Sequence, residues 1–349
     1  MQHSGFFGGC SCHRPLLGRR GFLGAASALA ATAVAGPAMA QSKVRRIDTH
    51  HHVMPPIWVE ALKKANMSAP PINNWTPEHT LADMDSAGTQ TAILSVTQPA
   101  VTFLPAAEAA AMARASNEYT KALTEKYPGR FGMFAVVPMP YVDETLKEIA
   151  YALDVLKADG IGFMTSFGNK WLGHPDFMPV MEELNRRKAV VYTHPLDAAC
   201  CVNLASLPGV AIEYGTDTTR TIGNLVMTGA AAKLPDIKFI FSHAGGSITS
   251  FIERFTTQLP KYGPAWKDFT YDSVMAQIGR FYYDTAQTAN PVTMGALRNM
   301  VAPSQIVFGS DYPYRTSPDQ FANLQKLFDA PTMEMIGGGN AQKILQHWA

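Results

Sequence analysis

"IDTHHHVMPP", residues 47–56, places three consecutive histidines where an apolar strand runs out. Successive side chains on an extended segment point to opposite faces, so His50 and His52 share a side and His51 points away. The pair is a candidate for metal ligation, with His51 as its neighbour. An affinity tag is excluded, because the run is internal, short and preceded by strand sequence. A doubly wound open sheet would want a glycine-rich phosphate loop after its first strand, and this chain has histidines there instead.

Outward from this stretch, short apolar runs alternate with helical patterns. The strand candidates are 44–49, 90–96, 131–137, 160–165, 189–194, 237–242, 280–284 and 305–310. Each is rich in β-branched or aromatic residues and bounded by Gly, Pro or Asp, as buried parallel strands are. Between them lie amphipathic stretches such as 143–158, where Leu146, Ile149, Leu153 and Leu156 recur at helical spacing. Pro175, Pro291 and Pro318 sit where helices are expected to start. The alternation predicts an α/β fold, a (β/α)8 TIM barrel over residues 41–349. The proline-rich segment 53–77 reads as a long loop after strand 1, a lid over its mouth.

Residues 1–40 read as a twin-arginine export signal. Arg19-Arg20 precede Phe22-Leu23, an Ala-rich stretch and Ala38-Met39-Ala40, where cleavage is expected. The destination is then the periplasm or the exterior. The apolar run is broken by Gly36-Pro37 and makes a poor spanning helix, so no stable membrane anchor is expected. Losing Arg14, Arg19 and Arg20 turns the formal charge of +1 slightly negative, and no basic stripe remains for nucleic acid. Cys10 and Cys12 leave with the signal and Cys200 and Cys201 are adjacent, so no disulfide framework is expected.

Barrel chemistry sits at the C-terminal ends of the strands. His50 and His52 end strand 1, His194 ends strand 5, His243 follows strand 6 and Asp311 follows strand 8. His50, His52, His194 and Asp311 together give N3O ligation for a divalent ion, with a position left open for substrate or water. Zinc is the first candidate and manganese the second. His243, before Ala244-Gly245-Gly246, is expected to begin a helix and to serve as acid/base or hydrogen-bonding group. Arg220 has the planar fork that suits a substrate carboxylate, or is an exposed helix arginine. Asp217 likewise reaches the rim or is merely a helix cap, and His51, His79 and His174 read as structural. Phe167, Trp171 and Trp75 line an aromatic pocket or simply pack.

The H-x-H after strand 1, the histidines of strands 5 and 6 and the Asp after strand 8 resemble the amidohydrolase superfamily. "LGHPDFMPVMEELNRRKAVVYTHP" (172–195), "SHAGGSIT" (242–249), "FGSDYPY" (308–314) and "GGNAQKIL" (338–345) are similar to its aminocarboxymuconate-semialdehyde decarboxylase branch. Within that branch, "IDTHHHVMPP", "AILSVTQPAV" (92–101) and "FMTSFGNKWLGHP" (163–175) resemble bacterial and fungal 6-methylsalicylate decarboxylases. The resemblance implies His50, His52, His194 and Asp311 as ligands and His243 facing the substrate. It also implies Arg254, in "SFIERF", as a substrate arginine, and a homodimer. No lysine ends strand 4 in "GIGFMTSFGNK", which implies one ion and not two. The activity implied is metal-dependent, non-oxidative decarboxylation of a hydroxylated aromatic acid, with Asp311 as proton donor and His243 steadying the developing charge. Hydrolysis of a lactone or amide on the same ligands is the alternative, and metal binding without catalysis a third reading.

Overall fold

The computed structural model describes residues 44–198, 207–262 and 267–348. The expected signal at 1–40 and the pair Cys200 and Cys201 lie outside the described residues. Eight parallel strands follow one another in chain order around the sheet: β1 (Ile47–Val53), β2 (Thr91–Val96), β3 (Phe131–Val136), β4 (Gly160–Met164), β5 (Val190–His194), β6 (Lys238–Phe241), β7 (Tyr282–Asp284) and β8 (Ile306–Val307). The chain after β8 returns to β1. Thr49 N–H donates to Phe308 O and His52 N–H to Tyr312 O, both at 2.9 Å, and Asp311 N–H donates to His50 O, also at 2.9 Å. The barrel therefore closes at the residues that carry the polar rim.

Alternation along the strands divides the apolar side chains into two layers. Ile47, Ile93, Phe134, Tyr192, Ile240 and Val307 fill the barrel interior, closed from below by Ala341, Ile344 and Leu345 near the C-terminus. The opposite faces, including Leu94, Met133, Ile161, Val191 and Phe239, pack against the surrounding helices. Strands buried on both faces explain the continuous apolar runs in the sequence.

Each of the eight strand expectations overlaps an observed strand, with one displacement. β1 starts later and runs through all three histidines, because His51 and His52 pair with Leu94 and Ser95 of β2 past an irregularity in register. The helix expected over 143–158 runs as Val142–Ala150 and continues as a π-helical turn over Tyr151–Val155. Pro291 opens its helix and Pro318 sits in the first turn of another, where the missing N–H costs nothing.

The expected loop at 53–77 is corrected. It contains helices at Pro56–Lys64 and Pro70–Asn73, each opened by proline, and it buries Trp58, Leu62, Ile72 and Trp75. The Trp58 indole N–H donates to Ala100 O at 2.7 Å, tying this segment to the loop after β2. Among the described residues no helix is long and apolar enough to cross a membrane. Trp58→Ala should destabilise the protein by about 3–5 kcal/mol, the cost of emptying a fully buried aromatic site. Denaturant unfolding checks it; a segment acting only as a lid would leave stability unchanged and move KM instead.

Candidate metal centre

Five buried polar residues, His50, His52, His194, Asp284 and Asp311, and the half-buried His243 meet at the rim. His50, His52, His194 and Asp311 each offer a ligand atom, and these atoms lie within 4.8 Å of one another. His50 Nε2 stands 3.2 Å from His52 Nε2, and Asp311 Oδ1 lies 3.1 Å from the first and 3.0 Å from the second. The rings of His50 and His194 meet edge-on at 5.2 Å, as do those of His52 and His194 at 4.8 Å.

What orients the rings is an oxygen behind each one. His50 Nδ1 lies 2.7 Å from Asp284 Oδ2, His52 Nδ1 3.2 Å from Ser95 O, and His194 Nδ1 2.9 Å from Pro195 O. A ring nitrogen facing such an acceptor carries the proton, so each Nε2 is left as a lone pair turned toward the others. Converging lone pairs repel unless a proton or a cation lies among them. The donor set therefore fits a divalent ion of borderline softness, in agreement with three nitrogens and one oxygen.

Electrostatics says the same. Burial pushes the His50 imidazole down, but Asp284 and Asp311 on either side reverse this and hold it up at about 10. Burial lowers His52 and, together with the neighbouring imidazoles, holds His194 well below its ordinary range. Burial alone would raise Asp311, yet His50 and His52 hold its carboxyl well below the usual range. A proton on His50 thus balances the carboxylates where a bound cation would do so, and binding would release it.

Asp284, which sequence reading missed, organises the rest. It lies at the end of β7 with no exposure. Its Oδ2 takes His50, and its Oδ1 accepts the N–H of His243 at 2.8 Å and of Ala286 at 3.0 Å. His243 Nδ1 is 2.9 Å from Ala286 O, so its Nε2 is also free, and its ring lies 4.9 Å from that of His50. His243 begins only a one-turn 3-10 segment, His243–Gly245, and not the longer helix expected. It and Ala244 take positive φ values of 52° and 57°, and the helix starts at Ile248. The bend lets the backbone N–H of His243 turn to Asp284.

Asp311 also has a positive φ, 69°, and its second oxygen, Oδ2, accepts from the Gln287 side-chain amide. Gly309 makes room for this arrangement: a Cβ there would lie 2.7 Å from His50 Cβ. His51 points away as expected, paired to Asp48 at 3.0 Å and stacked on Tyr312 at 4.8 Å. Two further tyrosines stand near Asp311. Tyr314 meets the His52 ring edge-on at 5.7 Å, and burial raises both its phenol and that of Tyr214 to about 12. Both stay neutral hydrogen-bonding groups at ordinary pH.

Arg220 turns its guanidinium to Glu213 at 3.7 Å and Asp217 at 3.9 Å. With Trp171, Phe251 and Phe255 it lines a cavity of about 550 Å³ that none of the clustered histidines lines. Arg254 is exposed on a turn at Arg254–Gln258. Neither has an ion pair with Asp284 or Asp311 among the described residues. Asp217 is no cap but a buried brace, accepting from Thr165 at 2.5 Å, Ser166 at 2.8 Å and the Trp171 indole at 2.7 Å. Phe167 and Trp75 pack in the core. β4 ends in Met164-Thr165, where no lysine is present to bridge a second ion.

A family model described as Amidohydrolase matches residues 47–346. The chain belongs to the amidohydrolase family. It is 38% identical over 289 residues to the decarboxylase macB of Penicillium terrestre, covering 78% of this chain and 85% of that one. It is 35% identical over 315 residues to the 6-methylsalicylic acid decarboxylase of Penicillium expansum, covering 86% and 95%. A dihydroxybenzoic acid decarboxylase from Polaromonas sp. JS666, solved with manganese and the inhibitor 2-nitroresorcinol, shares the fold. Its TM-score is 0.76 at 20% identity, covering 87% of this chain and 97% of that one. Resemblance to the 6-methylsalicylate decarboxylases thus extends over most of this amidohydrolase.

If Asp284 orients and polarises His50, Asp284→Asn should weaken metal binding by about 10–100-fold, the usual cost of losing such a partner. Competition against a chromophoric chelator measures it, with circular dichroism verifying the fold. Unchanged affinity would remove Asp284 from the site.

Proposed function

We propose that this chain removes carbon dioxide from an ortho-hydroxylated aromatic acid of the 6-methylsalicylate type, without an oxidant. The enzyme is a carboxy-lyase of the amidohydrolase superfamily, in keeping with the decarboxylases that it matches over most of its length. The observation that carries the reading is a four-donor set from which one carboxylate oxygen, Asp311 Oδ2, is turned aside to the Gln287 amide. His50, His52, His194 and Asp311 would hold the ion, which supplies Lewis acidity and a template for the acid's carboxylate and neighbouring hydroxyl. Zinc is our first choice on the donor set, and manganese, present in the Polaromonas structure, the second.

The remaining chemistry falls to side chains. Asp311 Oδ2 takes the phenolic proton of the bound acid and delivers it to the ring carbon that bears the carboxylate. The bond to the carboxylate carbon then breaks, its electron pair returns to the ring, and carbon dioxide leaves. The resulting phenolate takes a proton from water, so one proton is consumed per turnover. His243, its Nδ1 fixed on the Ala286 carbonyl, keeps Nε2 free to bond the oxygen on which charge develops. Tyr214 and Tyr314 stay neutral and suit the polar edge of an aromatic ring.

Hydrolysis of a lactone or amide is the second reading, since the same donors can activate water. Product mass after incubating the zinc- or manganese-loaded protein with ortho-hydroxybenzoates, lactones and amides decides between them. Metal-dependent loss of carbon dioxide is expected; gain of water with the carboxylate intact would make the protein a hydrolase. Asp311→Asn should lower kcat by about 100-fold or more, the scale of general acid–base catalysis, while the fold is kept. We further propose export by the twin-arginine route, supported by Arg19-Arg20 and Ala38-Met39-Ala40. Replacing both arginines by lysine should hold the protein in the cytoplasm; periplasmic arrival of that variant would exclude the route.

A further inference from the structure

We propose that Gln287 is a positioning residue for Asp311. Its side-chain amide fixes the carboxylate oxygen that faces away from the histidines, and so sets where that oxygen meets the substrate. This deepens the reading of Asp311 as proton carrier and rests on it.

The carboxylate would be loosely aimed without this contact. His50 and His52 both address Oδ1, at 3.1 and 3.0 Å. One anchored oxygen leaves the terminal torsion of an aspartate free to swing, because such sp³–sp² torsions have broad wells. The Gln287 amide on Oδ2 supplies the second anchor and fixes the plane of the group. It is also a neutral donor, so it orients this oxygen without contributing an ion pair.

The backbone indicates that position 287 serves its side chain. Gln287 has a φ of 54°, a left-handed conformation that is uncommon for a non-glycine residue. Glycine would adopt it freely. The turn is held by its neighbours: Ala286 N–H on Asp284 Oδ1 at 3.0 Å, Ala286 O against His243 Nδ1 at 2.9 Å, and Thr288 N–H on Thr285 O at 3.1 Å. One short turn, 284–287, thus touches His50, His243 and Asp311 together.

Exposure adds a second argument. Gln287 is an exposed residue, whereas Asp311 is only 2% exposed. A surface glutamine ordinarily spends its amide on water. This one sends it inward to a buried carboxylate, at the boundary between solvent and the proton-carrying oxygen. Its amide thus anchors Oδ2 at the edge of the buried cluster.

Three variants separate this role from a structural one. Gln287→Met keeps length without an amide, Gln287→Glu keeps shape without the N–H, and Gln287→Gly relaxes the backbone while removing the side chain. In all three, kcat should fall by about 10–100-fold with KM changed by less than about threefold, as for a small misplacement of a reacting group. Gln287→Gly should melt no lower than the parent, so that its loss of kcat cannot be ascribed to instability. The cobalt-loaded protein gives a readout independent of turnover: its visible absorption should shift in Gln287→Met, because the Asp311 carboxylate reorients. Retained kcat in Gln287→Gly, or an unchanged cobalt spectrum in Gln287→Met, would overturn the proposal. If the parent loads cobalt yet decarboxylates none of the ortho-hydroxybenzoates, the proposed function fails by itself, and the spectrum still decides the role of Gln287.

Discussion

Two buried carboxylates, Asp284 and Asp311, press on one imidazole from opposite sides, and the rest of the site answers to that constraint. Asp284 lies 2.7 Å from His50 Nδ1 and Asp311 lies 3.1 Å from Nε2. Charges taken out of water are costly unless paired and hydrogen-bonded. Asp48, whose Oδ1 accepts the His50 N–H at 3.0 Å, has its own ionic partner in His51. A single imidazolium cannot offset two carboxylates, and His52 and His194 are depressed by burial and cannot help as cations. A divalent ion at the converging Nε2 atoms offsets both carboxylates at once. The identity of the donors and their charge count thus lead to the same occupant by separate routes.

Holding that arrangement requires unusual backbone. His243, Ala244, Gln287 and Asp311 all take positive φ. Such conformations cost about 1–3 kcal/mol each and persist only where the surroundings over-determine them. The surroundings here are hydrogen bonds with little water to compete: Asp284 alone accepts from His50, the His243 N–H and the Ala286 N–H. Gly309 belongs to the same solution. With no Cβ, it lets the chain after β8 pass beside His50 and bring Asp311 in from the closing seam. Barrel closure and site assembly are therefore one event: the N–H of Asp311 bonds to His50 O while its carboxylate meets the two histidines.

The strand alternation was legible in the sequence because it depends on local chemistry. β-branched and aromatic runs bounded by Gly, Pro and Asp mark β2 to β7 to within a few residues. The displaced β1 has a physical cause: polar histidines read as a loop, yet pairing with Leu94 and Ser95 draws them into the strand. Segment 53–77 misled because prolines signal loops as readily as first helical turns, and burial of Trp58 and Trp75 is a tertiary fact. His50, His52, His194, His243 and Asp311 stood out because imidazoles and a carboxylate ended apolar strands. Asp284 carried the same signal in "FYYD" and was overlooked, since a lone aspartate after a strand also reads as a turn. Gln287 and Tyr314 had no local signal at all. Arg220 and Arg254 have chemistry suited to a carboxylate, and the contacts of Arg220 within the chain run to Glu213 and Asp217.

The polarity of the barrel also bears on which reaction the rim favours. Below the histidines lies a floor of Ile47, Ile93, Phe134, Tyr192, Ile240 and Val307, with Tyr192 edge-on to His50 at 5.4 Å. Oriented donors and acceptors act more strongly above such a floor than in water, because little solvent reorganises around them. Hydrolysis needs a water brought in and deprotonated. Protonating a ring carbon needs one proton delivered to one atom, with competing water kept away from the donor. An Asp311 oxygen pinned by an amide, neutral phenols near the same carboxylate and a dry floor all serve the second requirement better than the first. That is why the same metal donors, in this setting, point to carbon protonation.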